Sequence, residues 1–143
     1  MTTRQEKLKN LVDRTVCVDL DGVLAHYEGW KGLNEFGNPL PGALEFMWEL
    51  KKRGYYIVVA TARLSGDACA ANDADFKVVA RYVHDYLVRW NLPYDEVWVR
   101  PGKPLAIAYV DDRAVVCRPQ SNRDAFREAL IEIAALDGTH KAG

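Results

Sequence analysis

Thr15–Val16–Cys17–Val18–Asp19–Leu20–Asp21–Gly22–Val23–Leu24 is an apolar run, rich in β-branched residues, that delivers two acids and a glycine. A short run of this composition reads as a buried strand. Buried strands do not ordinarily end in paired acids, because like charges at that spacing repel unless a cation sits between them. Gly22 lets the backbone bend sharply just beyond the acids. The pattern is that of a strand whose carboxyl end holds a divalent cation and a reactive carboxylate.

The remaining composition narrows the class. A chain of 143 residues is expected to form one domain over 1–143, burying roughly 70% of its unfolded surface. Hydrophobic residues at 49% and charged residues at 27% are the balance of a globular protein that needs no membrane. A net charge of −1 excludes global attraction to nucleic acid or to anionic lipid. No apolar run approaches the roughly 20 residues of a membrane span, and the polar N-terminus is not a signal peptide. Cys17, Cys69 and Cys117 lack metal-ligand spacing, so a reducing, cytoplasmic setting is expected.

Along the chain, residues 1–13 are either a short lead-in helix or a frayed tail. Residues 22–40 hold four glycines, Tyr27, Trp30 and Pro39. They read as a flap or small hairpin starting beside the acids, and its aromatics either line a site or merely pack on the body. Pro41 is placed to open a helix with Leu44, Met47 and Leu50 inward, ended by Gly54. A strand over 55–61 then ends in Thr61–Ala62–Arg63.

Residues 64–72 read as loop, followed by a helix over 73–90 carrying Val79, Val83, Tyr86, Leu87 and Trp90 on one stripe. A third strand over 96–99 leads into Arg100–Pro101–Gly102–Lys103–Pro104, a stiff presentation of one ammonium. A fourth strand over 105–110 runs into Asp111–Asp112, and residues 115–117 are a candidate fifth. Ser121 and Asp124 suggest a cap for a last helix facing inward through Phe126, Leu130, Ile133 and Leu136. Gly138 is expected to close it, leaving 138–143 as a mobile tail.

Strands alternating with helices predict an α/β domain with a mainly parallel sheet. Ligands of such sheets bind outside the carboxyl ends of the strands. Asp19, Thr61 and Asp111 each follow a different predicted strand, and Lys103 needs only to reach across the same edge. Singly, each has an ordinary explanation as a cap, a strand threonine or a solvated lysine. Jointly they form an ordered set.

That set resembles the four motifs of the haloacid dehalogenase superfamily of phosphohydrolases: Asp19–Leu20–Asp21–Gly22–Val23, Thr61, Lys103 and Asp111–Asp112. The resemblance spans residues 15–117. It implies a Rossmann-like three-layer α/β/α fold with a five-stranded sheet in the order 5-4-1-2-3, and an aspartyl-phosphate intermediate. By the same resemblance Asp19 is the nucleophile, and Asp21 is the general acid and base, also ligating metal through its backbone carbonyl. Thr61 would bind the phosphoryl oxygens and Lys103 would neutralise their charge. Asp111 would complete a Mg²⁺ shell with Asp19. Asp112 would ligate directly, ligate through water, or hold Lys103.

An acid at Asp21 favours phosphoryl transfer over dehalogenation, since a halide leaves without a proton. No G-x-x-x-x-G-K-[ST] motif accompanies it. Thr61–Ala62–Arg63 is also similar to the Ser-Gly-Arg motif in the phosphatase half of phage polynucleotide kinase-phosphatases, which would make Arg63 a ligand of the substrate phosphate. The short gaps between motifs imply no cap domain. The implied substrate is then a nucleotide or polynucleotide phosphate end. The alternatives are a small sugar phosphate enclosed by homo-oligomerisation, or a non-catalytic binding scaffold. Residues 97–123 hold five basic residues against two acids, a local field suited to a phosphorylated ligand.

Overall fold

Thr15–Val18 forms strand β1, and all four of its residues are buried, as its composition requires. The computed structural model describes residues 3–142, with side chains through Thr139. The chain divides into two compact units, Met1–Asp111 and Asp112–Gly143. Residues 1, 2 and 143 of the expected lead-in and tail lie outside the described residues.

In the first unit, helix α1 (Arg4–Arg14) opens on a reciprocal capping box between Thr3 and Glu6 and buries none of its residues. After β1 come helix α2 (Ala43–Lys52), strand β2 (Tyr56–Val59), a 3₁₀ turn (Ala62–Leu64), helix α3 (Gly66–Ala71) and helix α4 (Phe76–Arg89). Strands β3 (Glu96–Val97) and β4 (Ala108–Val110) follow. The sheet runs β3-β2-β1-β4 and every pairing is parallel. Val18 is in register with Val59 on one side and Val110 on the other. The carboxyl ends of β1, β2 and β4 therefore share one edge.

Alternation sorts the strand residues by face. Val16, Val18, Ile57 and Val59 join one core with Met47 and Leu50 of α2 and Val83, Tyr86 and Leu87 of α4. Cys17 and Val58 are also buried, on the opposite face. Burying a Val, Leu, Ile or Met side chain fully contributes roughly 1.5–3 kcal/mol, and Val18, Ile57, Val59, Met47, Val83 and Leu87 are fully inaccessible.

Helices α2 and α4 stop in the same way. Gly54 takes φ 85° while its N–H bonds the Lys51 carbonyl and that of Tyr55 bonds Leu50. Asn91 takes φ 57° while its N–H and that of Leu92 bond Val88 and Leu87. Each is the left-handed stop that satisfies the last carbonyls of a helix.

Several expectations are corrected. No fifth strand forms at 115–117 among the described residues, so the five-stranded order 5-4-1-2-3 gives way to four strands. The four apolar residues between Arg113 and Arg118 are a short run, and Val116 is 63% exposed. Among the described residues β4 pairs with β1 alone and is an edge strand of three residues; Leu105, Ile107 and Tyr109 are exposed. The third strand keeps only Glu96–Val97.

Residues 66–71 are helical, because Ser65 accepts the Ala68 N–H as an N-cap. A second cap at Asp75, accepting from Lys77, starts α4. The expected loop over 64–72 thus holds a helix of its own, and the helix expected from residue 73 begins at Phe76. Pro41 lies before the N-cap Gly42, and the inner stripe of α2 is Ala43, Met47 and Leu50; Leu44 is exposed, as is Trp90, the C-cap residue of α4.

In the second unit, helix α5 (Ala125–Ala142) runs through Gly138. Ser121 bonds the Arg118 carbonyl and does not cap α5. Phe126, Leu130 and Ile133 are exposed, so the inward face expected of them does not form within this unit.

Candidate active site

Asp19 is the first residue beyond β1. Its backbone N–H donates to the Val110 carbonyl at 2.9 Å, and its Oδ1 accepts the Leu20 N–H at 2.8 Å. Asp111 is the first residue beyond β4. Register therefore sets these two carboxylates side by side, and Asp112 follows by peptide linkage. One carboxylate oxygen from each of the three lies within 4.8 Å of the others. Donors of this kind are hard oxygens, the set Mg²⁺ takes, so the residues present fit the implied ion.

Thr61, two residues beyond β2, caps the 3₁₀ turn by accepting the Arg63 N–H at 3.2 Å. Its hydroxyl proton remains available to donate. Lys103 lies in the loop before β4, where the Trp98 indole N–H donates to the Gly102 carbonyl at 2.9 Å. The ammonium stands 4.1 Å from the centre of the Tyr109 ring, and the Tyr109 hydroxyl donates to the Pro104 carbonyl.

A buried thiol registers this convergence. Burial, and then Asp19 and Asp111, push the Cys17 thiol up to about 11 against an opposing pull from Lys103. One strand residue thus senses three of the candidate site residues. The sign for stability follows. Between the ordinary value of about 9 and 11 the unfolded chain releases this proton and the folded chain keeps it. Stability is then fully present below pH 9 and falls as pH rises toward 11. A Cys17→Ala variant is expected to lose part of that alkaline decline in denaturant melts taken from pH 8 to 11; an unchanged slope would refute the assignment.

Asp21 and Arg63 depart most from expectation. Arg63 is 5% exposed, and its Nε and Nη2 grip the two oxygens of Asp21 at 2.7 and 2.9 Å. Its Nη1 donates to the carbonyls of Gly32 and Leu33, both at 2.9 Å, and Nη2 also donates to the Glu35 carbonyl at 2.7 Å. A guanidinium has five N–H donors, and all five are used. The plane lies 4.2 Å from the Phe36 ring centre and 5.1 Å from that of Trp30. Arg63 thus has no donor left for a substrate phosphate in this arrangement. Removing one partner of such a pair costs about 3–5 kcal/mol, because the other charge is stranded.

The flap over 22–40 is closed at its neck. Leu40 N–H bonds the Leu24 carbonyl and His26 N–H bonds Asn38, both at 2.8 Å. Gly37 passes so close to His26 that a Cβ there would meet the His26 carbonyl oxygen at 2.0 Å. Tyr86 of α4 donates to the Gly37 carbonyl at 2.8 Å and stacks on Phe36 at 4.9 Å. Burial, and then Asp21, pushes the Tyr86 phenol up to about 12, so it remains a donor. Sequence reasoning missed Tyr86 and Phe36. The one available signal was a hydroxyl on a core stripe, which needs a buried acceptor. His26 faces outward and pairs with Glu28 at 2.7 Å.

No protein-family model matches the sequence, and no curated protein does. Three solved structures are similar to it. A structural-genomics target from Vibrio cholerae is 24% identical over 83% of this chain and 98% of its own, with a TM-score of 0.49. A conserved protein from Bacteroides thetaiotaomicron is 17% identical over 81% and 91%, also with a TM-score of 0.49. A D,D-heptose 1,7-bisphosphate phosphatase from B. bronchiseptica, complexed with magnesium and phosphate, is 22% identical over 74% of this chain and 56% of its own, with a TM-score of 0.42. At this distance function has to be read from the side chains of this chain.

Proposed function

We propose that this chain is a Mg²⁺-dependent phosphomonoester hydrolase of the haloacid dehalogenase type, acting through an aspartyl-phosphate on Asp19. The observation that carries this reading is the register of β1 with β4, which brings the carboxylates of Asp19 and Asp111 together at the strand ends. Asp19, Asp111 and Asp112 would hold the ion, with Asp21 adding only its backbone carbonyl. When bound, Mg²⁺ supplies positive charge that lets an anionic nucleophile approach an anionic ester.

The residues divide the reaction as follows. A carboxylate oxygen of Asp19 forms a bond to phosphorus while the bond to the ester oxygen breaks. Asp21 gives that leaving oxygen a proton, then takes one from the water that cleaves the acyl phosphate and frees inorganic phosphate. Thr61 donates to a phosphoryl oxygen. Lys103, braced by Tyr109, offsets the charge gathering on the phosphoryl group. Arg63 acts on Asp21 and the flap.

The reading is tested on p-nitrophenyl phosphate with and without Mg²⁺, followed by nucleotides, 3′-phosphorylated oligonucleotides and sugar phosphates. The expected result is Mg²⁺-dependent release of phosphate, strongest on a nucleotide or polynucleotide end. Turnover that persists in EDTA would overturn the mechanism. Preference for sugar phosphates by an oligomeric protein would replace the nucleotide substrate, and no turnover on any ester would leave a binding scaffold.

A further inference from the structure

We infer that Arg63 is the positioning residue of this site, a single guanidinium that places the flap and aims the Asp21 carboxylate together. The catalytic half of this inference rests on the proposed phosphatase reading; the structural half does not. A side chain that recruits substrate phosphate must keep donors facing the site. Arg63 instead spends two N–H groups on Asp21 and three on the carbonyls of Gly32, Leu33 and Glu35. The rings of Phe36 and Trp30 also lie against the guanidinium.

Every partner except Asp21 belongs to the segment 30–36, which is therefore fixed by the same group that fixes Asp21. The bidentate grip restricts rotation of the carboxylate, while each oxygen keeps a further lone pair for a leaving-group oxygen or water. Tyr86 extends the tie to α4 through Gly37. Displacing the flap thus loosens Asp21, and losing the Asp21 contact loosens the flap. Lysine could not substitute, since it offers three donors from one point and no plane to stack.

The test uses the full chain with Arg63→Ala and Arg63→Lys, checked by circular dichroism. Chymotrypsin and trypsin, which cut after Tyr27, Trp30 and Lys31, are expected to cleave the flap at least about tenfold faster in either variant than in the parent, whatever the enzyme's activity. Turnover of p-nitrophenyl phosphate should fall on the order of 100-fold in kcat with KM nearly unchanged. Free guanidinium at millimolar concentration should restore part of it to Arg63→Ala. In an Asp21→Asn background the same substitutions should cost little more, because the two residues act as a unit.

If Arg63→Ala fails to fold, Arg63→Lys carries the cleavage, kinetic and double-variant arms without the guanidinium rescue. A loss confined to KM that persists in full beside Asp21→Asn would make Arg63 a substrate ligand and overturn the inference. Flap cleavage at the parent rate would overturn it as well. A parent protein without turnover would refute the phosphatase reading alone, leaving the cleavage arm to decide the tie between Arg63 and the flap.

Discussion

Asp19→Asn is expected to abolish turnover, lowering kcat by on the order of 10⁴-fold or more, the scale seen when a covalent nucleophile is removed. The substitution changes one atom. Asn keeps an Oδ1 that can accept the Leu20 N–H as Asp19 does now, and the backbone bond to Val110 is untouched. Loss of activity with an unaltered circular dichroism spectrum and melting curve would therefore report chemistry. Asp21→Asn should behave differently. Proton transfer contributes typically 10²–10⁴-fold, and p-nitrophenolate needs little protonation to leave. Its loss should therefore be smaller on that ester than on an alkyl phosphate, a contrast Asp19→Asn should not show. Measuring kcat on both esters for both variants decides the division of labour. Asp19→Asn retaining even a hundredth of the parental rate would end the aspartyl-phosphate proposal.

What the sequence made legible, and what it hid, follows from how local each signal is. β1 and its acids were readable because the run is buried on both faces and punctuated by charge and glycine within ten residues. The left-handed stop at Gly54 is local too, and so is the stripe of α4. Asp111 could be assigned to the same edge because parallel strands carry their ends to one side. The fifth strand failed because three apolar residues say nothing about whether a neighbour will pair with them. Helix α3 was hidden because caps at Ser65 and Asp75 lie only ten residues apart, and composition alone does not separate a capped turn from a loop. The partners of Arg63 were hidden for a third reason. Thr61–Ala62–Arg63 shows a guanidinium at a strand end, which suits an anion. Its partners are carbonyls about thirty residues away in sequence, and a backbone carbonyl leaves no trace in a list of side chains.

The remaining large effect is on the cation. EDTA treatment is expected to remove turnover and added Mg²⁺ to restore it. Mg²⁺ should also raise thermal stability, since a ligand held only by the folded chain at 100 times its dissociation constant contributes about 2.7 kcal/mol. That linkage separates the acids by role. Asp111→Asn removes an oxygen from the cluster at the strand ends, and its Mg²⁺-dependent shift in melting temperature should largely vanish together with activity. Asp21→Asn should lose activity but keep the shift, because its carboxylate is committed to Arg63 and only its backbone would face the ion. Calcium, larger and less exacting in geometry, should still stabilise the parent protein but support turnover poorly. Scanning calorimetry of the parent and both variants, with and without each ion, gives six shifts to compare. An equal Mg²⁺ shift in Asp111→Asn and the parent would move the ion away from these strand ends. A shift lost in Asp21→Asn would mean that its carboxylate leaves Arg63 to ligate the metal, reversing the roles assigned to that pair.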